Sequence, residues 1–144
     1  MNIPEKISLG RSKFETVLHV RPDDIDMNQH VHNSRYFDYV LAARYDQMAR
    51  CYKMPMEDFL AAGYGWVVKL AHVAFKRPLN LGDSMIVTTC IEEMFKDGVK
   101  VGFRITKKVT GKVCCDGYFD YTMINVRTGR AEVIPGWIRE KYSI

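Results

Sequence analysis

The stretch DDIDMNQHVHNSRY, residues 23–36, sets three carboxylates, two histidines and two asparagines directly ahead of a long apolar run. Helix capping is the first chemistry such groups can serve, because an Asp, Asn or Ser side chain accepts from the open N–H groups of a first helical turn. A cap stands one residue outside the helix. Asn33 or Ser34 can therefore cap a helix starting near Arg35, whereas Asp24 and Asp26 lie too far upstream. Both aspartates can equally be solvated loop acids, and Asp23, beside Pro22, reads as a plain turn residue. A second use is metal binding: His30 and His32 share a face in extended chain, and Asp24 or Asp26 would add a carboxylate. No third histidine or cysteine follows at ligand spacing, so no metal is expected. The third use is hydrolysis. A helix N-terminus presents unpaired N–H groups and the positive end of the helix dipole, which hold a developing oxyanion when a carbonyl is brought there. A nearby aspartate can attack that carbonyl or activate water. This chemistry needs a carboxylate, a turn and a helix start in that order, and residues 24–36 supply all three.

The elements that must position these groups are legible from periodicity. FETVLHV, residues 14–20, alternates Phe14, Thr16, Leu18 and Val20 against Glu15, Val17 and His19, a half-buried strand that ends at Arg21-Pro22. From Arg35 to about Tyr52 there is no Pro or Gly, and Tyr36, Phe37, Tyr39, Val40, Leu41, Ala43, Tyr45, Met48 and Ala49 cover more than one helical face. That predicts a helix buried nearly all round. KMPMEDFLAAGYG adds a turn and a short helix from about Met56, with Pro55 at its start and Gly63 at its stop. Four strand-rich runs follow, WVVKLAHVAFKR, MIVTTCIEEMF, VKVGFRITKKV and VCCDGYFDYTMINV, divided by the turn signals LNLGD, KDG, TGK and TGR. His19 and His72 fall inside strand patterns, where an ordinary structural hydrogen bond accounts for them. Residues 136–144 read as a short tail or helical turn. A helix packed on one face of an antiparallel sheet is the natural architecture.

Bulk properties narrow the function classes. The 144 residues, 47% hydrophobic and 26% charged, suit one domain spanning 1–144 that buries roughly two-thirds of its unfolded surface. A formal charge of +4 favours a phosphorylated ligand but is too small and scattered to imply nucleic acid. No stretch approaches the apolar length of a membrane span, and Pro4 and charges occupy the start where a signal peptide needs an apolar region. The expected setting is cytoplasmic, without a membrane partner. Cys51, Cys90, Cys114 and Cys115 show no CxxC spacing, and the adjacent pair should point to opposite faces of a strand, so all four are expected to be reduced packing residues.

The run DIDMNQHVHNSRYFDYVLAAR resembles the signature of hotdog-fold acyl-CoA thioesterases of the 4-hydroxybenzoyl-CoA thioesterase-like family. The usual form is Asp-x-Asp, two or three residues, Gly-His-Val-Asn-Asn or a variant, then an aromatic-rich helix carrying Tyr and Ala-Arg. Asp24, Asp26, His30, Val31, Asn33, Tyr36 and Arg44 match positions of that pattern, and LNLGD at 79–83 resembles the family's Gly-Asp before the third strand. The motif covers about residues 21–44; the order of elements is similar over nearly the whole chain. The resemblance implies an α+β hotdog fold, an antiparallel sheet of about five strands wrapped around a long central helix. It also implies hydrolysis of an acyl thioester to a free acid and coenzyme A, with no metal or organic cofactor, coenzyme A entering as part of the substrate.

Residue by residue, the resemblance puts the catalytic carboxylate at Asp26 and the carbonyl-polarising backbone N–H near Asn33. Asp24 and His30 would orient the loop, His30 alternatively touching substrate. Gln29 stands where many relatives have Gly, and could place a water; His32 replaces a common Asn. A sister branch carries its acid on the central helix, which here would be Asp38 or Asp46. Coenzyme A phosphates want cations, with Lys76 and Arg77 beside Pro78, or Lys107 and Lys108, as candidates. Tyr36, Phe37 and Val40 are candidates for the acyl pocket. Sites in such enzymes lie between subunits, so a homodimer, commonly paired into a homotetramer, is implied. Two alternatives stay open: a hotdog enoyl-thioester hydratase or dehydratase pairing His30 with Asp24 or Asp26, and a non-catalytic module that binds an acyl thioester.

Overall fold

The computed structural model describes residues 11–144, so the chain start that carries Pro4 lies outside the described residues. Strand β1 (Lys13–His19) leads through a single 3-10 turn (Pro22–Asp24) to the central helix α1 (Arg35–Arg50) and a short helix α2 (Met56–Ala61). Four strands follow, β2 (Tyr64–Phe75), β3 (Ser84–Met94), β4 (Gly98–Lys107) and β5 (Val113–Asn125), and then helix α3 (Gly136–Tyr142). The strands form one antiparallel sheet in the order β1-β3-β4-β5-β2. This is the α+β arrangement expected of a hotdog fold, with α1 on the inner face.

The alternation in the sequence decides which side of each strand meets α1. On β3, Met85, Val87, Thr89 and Ile91 are buried, and their partners across β1, Leu18, Thr16 and Phe14, are the same alternating set expected to face inward. Phe119 and Met123 of β5 and Val101, Phe103 and Ile105 of β4 complete the inner layer. Register breaks at Lys69 in β2, Glu92 in β3 and Cys114 in β5 are extra unpaired residues, and each adds the local bend that lets a sheet curl around a helix. The break at Cys114 corrects one expectation. Cys114 and Cys115 do not point to opposite faces; both are buried, because the bulge cancels the two-residue alternation. Burial pushes the Cys115 thiol up to about 12, and none of the four cysteines is bridged.

Helix α1 departs from expectation in three ways. It ends at Arg50, short of Tyr52, as Lys53 takes a left-handed φ of 62° and the Met54 N–H closes on the Met48 carbonyl at 3.0 Å. It is not buried all round: Leu41 and Tyr45 remain 38% and 51% exposed, a stripe one turn apart. Its N-cap position is Ser34, as foreseen, but neither Ser34 nor Asn33 caps it with a side chain; the Ser34 hydroxyl bonds His32 Nδ1 at 2.9 Å instead. The helix buries polar residues that the apolar pattern concealed. Gln47 is 0% exposed and donates to Thr16 Oγ1 at 3.1 Å and the Val87 carbonyl at 3.4 Å while Thr89 donates to its Oε1, tying α1 to β1 and β3. Among the described residues no helix is long and apolar enough to cross a membrane.

Candidate active site

Pro22 starts the 3-10 turn and carries Asp24 inward, so its carboxylate ends 3% exposed beneath α1. Tyr39 donates to Asp24 Oδ2 at 2.6 Å, Arg21 Nε donates to the same oxygen at 2.8 Å, and Arg35 Nε lies 3.5 Å from Oδ1. Burial alone would push the Asp24 carboxyl up, but the Tyr39 and Arg21 hydrogen bonds outweigh it and hold the group below its ordinary value. The same environment, burial first and the Asp24 bond second, raises the Tyr39 hydroxyl to about 12. Asp24 therefore fastens the loop to the helix.

Asp26 is held differently. Ile25 and Val31 form an antiparallel bridge, and the Asp26 N–H donates to the His30 carbonyl at 2.8 Å, so residues 26–30 make a tight reversal. Gln29 takes a φ of 69° inside it, the conformation for which many relatives use glycine. Within this turn Asp26 Oδ1 accepts from the Asn28 N–H at 2.8 Å and the His30 N–H at 3.2 Å. The Asn28 bond, joined by the His30 bond against a smaller effect of burial, keeps the carboxyl below the usual carboxylate range. Oδ2 accepts no hydrogen bond among the described residues. One oxygen is thus fixed by backbone and the other is available.

The LNLGD loop locks the reversal in place. The Val31 N–H donates to the Leu79 carbonyl at 2.8 Å, His30 bridges Asn80, and the Leu79 N–H donates to the Tyr36 hydroxyl at 3.0 Å. Gly82 supplies the φ of 90° that this turn needs. The result is an open cleft of about 320 Å³ whose wall contains Asp26, His30, Asn33, Tyr36, Lys76 and Arg77, with Val31, Phe75 and Pro78 between them. The Asn33 N–H, just ahead of α1, donates to no acceptor among the described residues, while the Ser34 N–H donates to His32 Nδ1 at 3.3 Å and the Arg35 and Tyr36 N–H groups close on the His32 and Asn33 carbonyls. An unengaged carboxylate oxygen and an open N–H at a helix start share one cleft.

Six of the seven sequence-derived site residues meet there. Gln29 does not: it is exposed, and it shapes the reversal through its backbone. The Tyr36 ring forms wall and its hydroxyl is engaged by Leu79, while Phe75, which the sequence reading passed over, packs edge-on against it at 5.5 Å. Lys76 pairs with Asp116 at 2.9 Å and Arg77 Nη1 reaches the Val113 carbonyl at 3.2 Å, leaving both half exposed at the rim. Lys107 instead pairs with Asp83 at 3.2 Å beside a neighbouring recess. The helix acids are occupied elsewhere, Asp38 with Arg35 at 3.3 Å and Asp46 with Thr16 at 2.6 Å and Arg50 at 2.8 Å. His30 approaches Asp26 through its backbone N–H, not its ring, and no three His, Cys, Asp or Glu side chains among the described residues converge as a metal site.

Comparison with known proteins places this geometry in context. Residues 20–142 match the family model of the Thioesterase-like superfamily. The long-chain acyl-CoA thioesterase FadM of Escherichia coli is 26% identical over 128 residues, 89% of this chain and 96% of that protein. Protein TT1821 from Thermus thermophilus superposes with a TM-score of 0.82 at 26% identity, covering 90% of this chain and 96% of the other. The DHNA-CoA thioesterase from Staphylococcus aureus shares the fold, with a TM-score of 0.83 at 18% identity over 91% of this chain and 89% of its own.

Proposed function

The chain belongs to the Thioesterase-like superfamily, and from that premise we propose that it hydrolyses acyl-CoA thioesters by aiming Asp26 at a carbonyl held on the Asn33 N–H. The observation that carries this reading is the shared cleft: Oδ1 of Asp26 is tied to two backbone N–H groups, Oδ2 is unengaged among the described residues, and Asn33, whose N–H is open, lines the same cleft. Bound there, the thioester oxygen accepts from Asn33, and the α1 dipole stabilises the negative charge that grows on it. Asp26 Oδ2 then either attacks the carbonyl carbon, expelling the coenzyme A thiolate and leaving a mixed anhydride that water opens, or takes the proton of a water that attacks in its place. Both routes give the free acid and the thiol and return Asp26 as carboxylate. No organic cofactor or metal takes part.

Around this centre, His30 holds Asp26 by its backbone and turns its ring toward the substrate, Gln29 maintains the reversal, and Tyr36 with Phe75 walls the acyl entrance. Lys76 and Arg77 meet the phosphates of coenzyme A at the rim, their positive field only partly cancelled by Asp116. The working unit is a homodimer, with pairing into a tetramer as a further step. Among the described residues strand β2 pairs on one side only, and its other edge carries Val67, Val68 and Leu70 at 37%, 37% and 49% exposure, an edge that a second copy covers by continuing the sheet. The exposed Leu41 and Tyr45 stripe of α1 gives that pairing an apolar partner face. A cytoplasmic setting goes with this reading, and no described helix is long and apolar enough to cross a membrane.

Thiol release from a panel of acyl-CoA chain lengths tests the function and finds its substrate at once. Turnover that vanishes in Asp26→Asn supports the assignment; a panel with no thiol release from any substrate overturns it. The hydratase alternative needs a histidine ring paired with an acid, and the His30 ring makes no such bond among the described residues. Single-turnover hydrolysis in ¹⁸O water separates the two routes, since an unlabelled first product takes its oxygen from Asp26.

A further inference from the structure

A second cavity, of about 260 Å³, opens at the other end of α1 from Asp26, walled by Leu41, Met48, Met56, Trp66, Met94 and Ile138. It shares no wall residue with the Asp26 cleft; Asn33 and Arg44 are roughly eleven residues apart, about 16 Å along the helix. Two polar groups interrupt its apolar lining. Arg44 is only 8% exposed, its Nη1 is buried without a hydrogen-bond partner, and among the described residues no carboxylate or carbonyl engages its guanidinium. The guanidinium carbon stands 5.6 Å from the centroid of the Tyr52 ring; burial pushes the Tyr52 hydroxyl up, and Arg44 lowers it against that larger push by its charge and a side-chain hydrogen bond. The Tyr121 hydroxyl, on the same wall, is likewise buried and unpartnered. A guanidinium nitrogen and a hydroxyl left unpartnered in a largely apolar wall are costly unless something supplies oxygen lone pairs.

The Arg44 Nη1 can only donate and the Tyr121 hydroxyl can donate beside it, so an acceptor serves both, and the positive charge of Arg44 favours an anion. The wall is otherwise methionine, leucine, isoleucine and aromatic carbon, which suits an unbranched aliphatic chain. At roughly 30 Å³ for a water-sized group, the cavity admits about nine non-hydrogen atoms. We propose that this cavity binds the carboxylate end of a medium-chain aliphatic acid, with Arg44 and Tyr121 clasping the carboxylate and the methionine-lined wall taking the chain. Such an end can come from a free fatty acid or from the distal carboxylate of a dicarboxylic acyl thioester; the recognition chemistry is the same. The site stands apart from Asp26 and does not depend on its role.

Titration calorimetry on the full chain with octanoate and with 1-octanol tests this directly, because the two ligands share a chain and differ in charge. Octanoate is expected to bind saturably and at least tenfold more tightly than octanol. Arg44→Met, close in volume, should bring the two affinities within about twofold, Tyr121→Phe should weaken octanoate severalfold, and Asp26→Asn should leave octanoate unchanged. No saturable octanoate binding, equal affinity for both ligands in the wild type, or undiminished octanoate binding in a folded Arg44→Met protein overturns the proposal. The wild-type comparison holds even if the Arg44 variant fails to fold. Rates then identify the source. Hexadecanedioyl-CoA, long enough to reach from the Asn33 N–H to Arg44, cleaved at least tenfold more efficiently than hexadecanoyl-CoA in an Arg44-dependent way assigns the end to the substrate. An Arg44-dependent change in octanoyl-CoA hydrolysis on adding octanoate assigns it to the free acid.

Discussion

Replacing Asp26 and Asp24 in turn by asparagine separates two aspartates that stand side by side in the sequence but are held in opposite ways. In Asp26→Asn the side-chain carbonyl still accepts from the Asn28 and His30 N–H groups at 2.8 and 3.2 Å, so the reversal survives; the amide replaces Oδ2, which no protein donor holds. Removal of the proposed nucleophile or base should lower kcat by about 10²–10⁴-fold, with circular dichroism and thermal midpoint near wild type. Asp24→Asn removes a buried anion that faces Tyr39, Arg21 and Arg35. Tyr39 can still donate to the asparagine oxygen, but two guanidiniums lose their partner. Discounted because those guanidiniums are about half exposed, the loss is about 1–2 kcal/mol, or about 3–8 °C in thermal midpoint. The assays are thiol release under saturating acyl-CoA and thermal unfolding of each variant. Wild-type turnover in a folded Asp26→Asn enzyme, or an Asp24→Asn protein as stable as the wild type, refutes the division of labour.

Asp24 and Asp26 both carry carboxyls held below the ordinary 3.8, so their contribution to stability is fully present above that value and is lost as pH falls through the lower folded one; a kcat/KM profile should accordingly keep its activity down to the ordinary carboxylate range and lose it below. Tyr39, raised to about 12, acts in the other direction, and urea midpoints should fall between pH 10 and about 12 as the unfolded chain ionises first. Gln47→Leu strands the Thr89 hydroxyl in the core, Thr16 keeping its bond to Asp46, and should cost about 1–3 kcal/mol in urea unfolding without altering KM. Lys76→Ala with Arg77→Ala should raise KM for acyl-CoA several-fold at low salt with kcat unchanged, an effect that shrinks as salt is added. Leu70→Lys on the open edge of β2 should shift the species seen by light scattering from dimer to monomer.

Periodicity and spacing alone determined much of this protein. The alternation Phe14, Thr16, Leu18 and Val20, the uninterrupted run from Arg35, and the turns at LNLGD, KDG, TGK and TGR located every strand and helix to within a few residues, because side-chain direction repeats every two residues in a strand and every 3.6 in a helix. The order of carboxylate, turn and helix start marked residues 24–36 as a segment where an acid can face a helix start, while the choice of Asp26 and Asn33 within it came from the resemblance to the thioesterase signature. What the sequence could not contain was any feature made by distant partners. The bulge that buries Cys114 beside Cys115 depends on how β4 pairs with β5. Asp24 and Asp26 look alike until Tyr39 and Arg21 take one inward and the Asn28 and His30 amides fix the other at the cleft. Gln47 and Arg44, polar residues in an apolar helix, acquire their meaning only when β1, β3 and β5 close over them. Local geometry is written in the order of residues; the solvation and partners of a charge are set by the surfaces that folding brings against it.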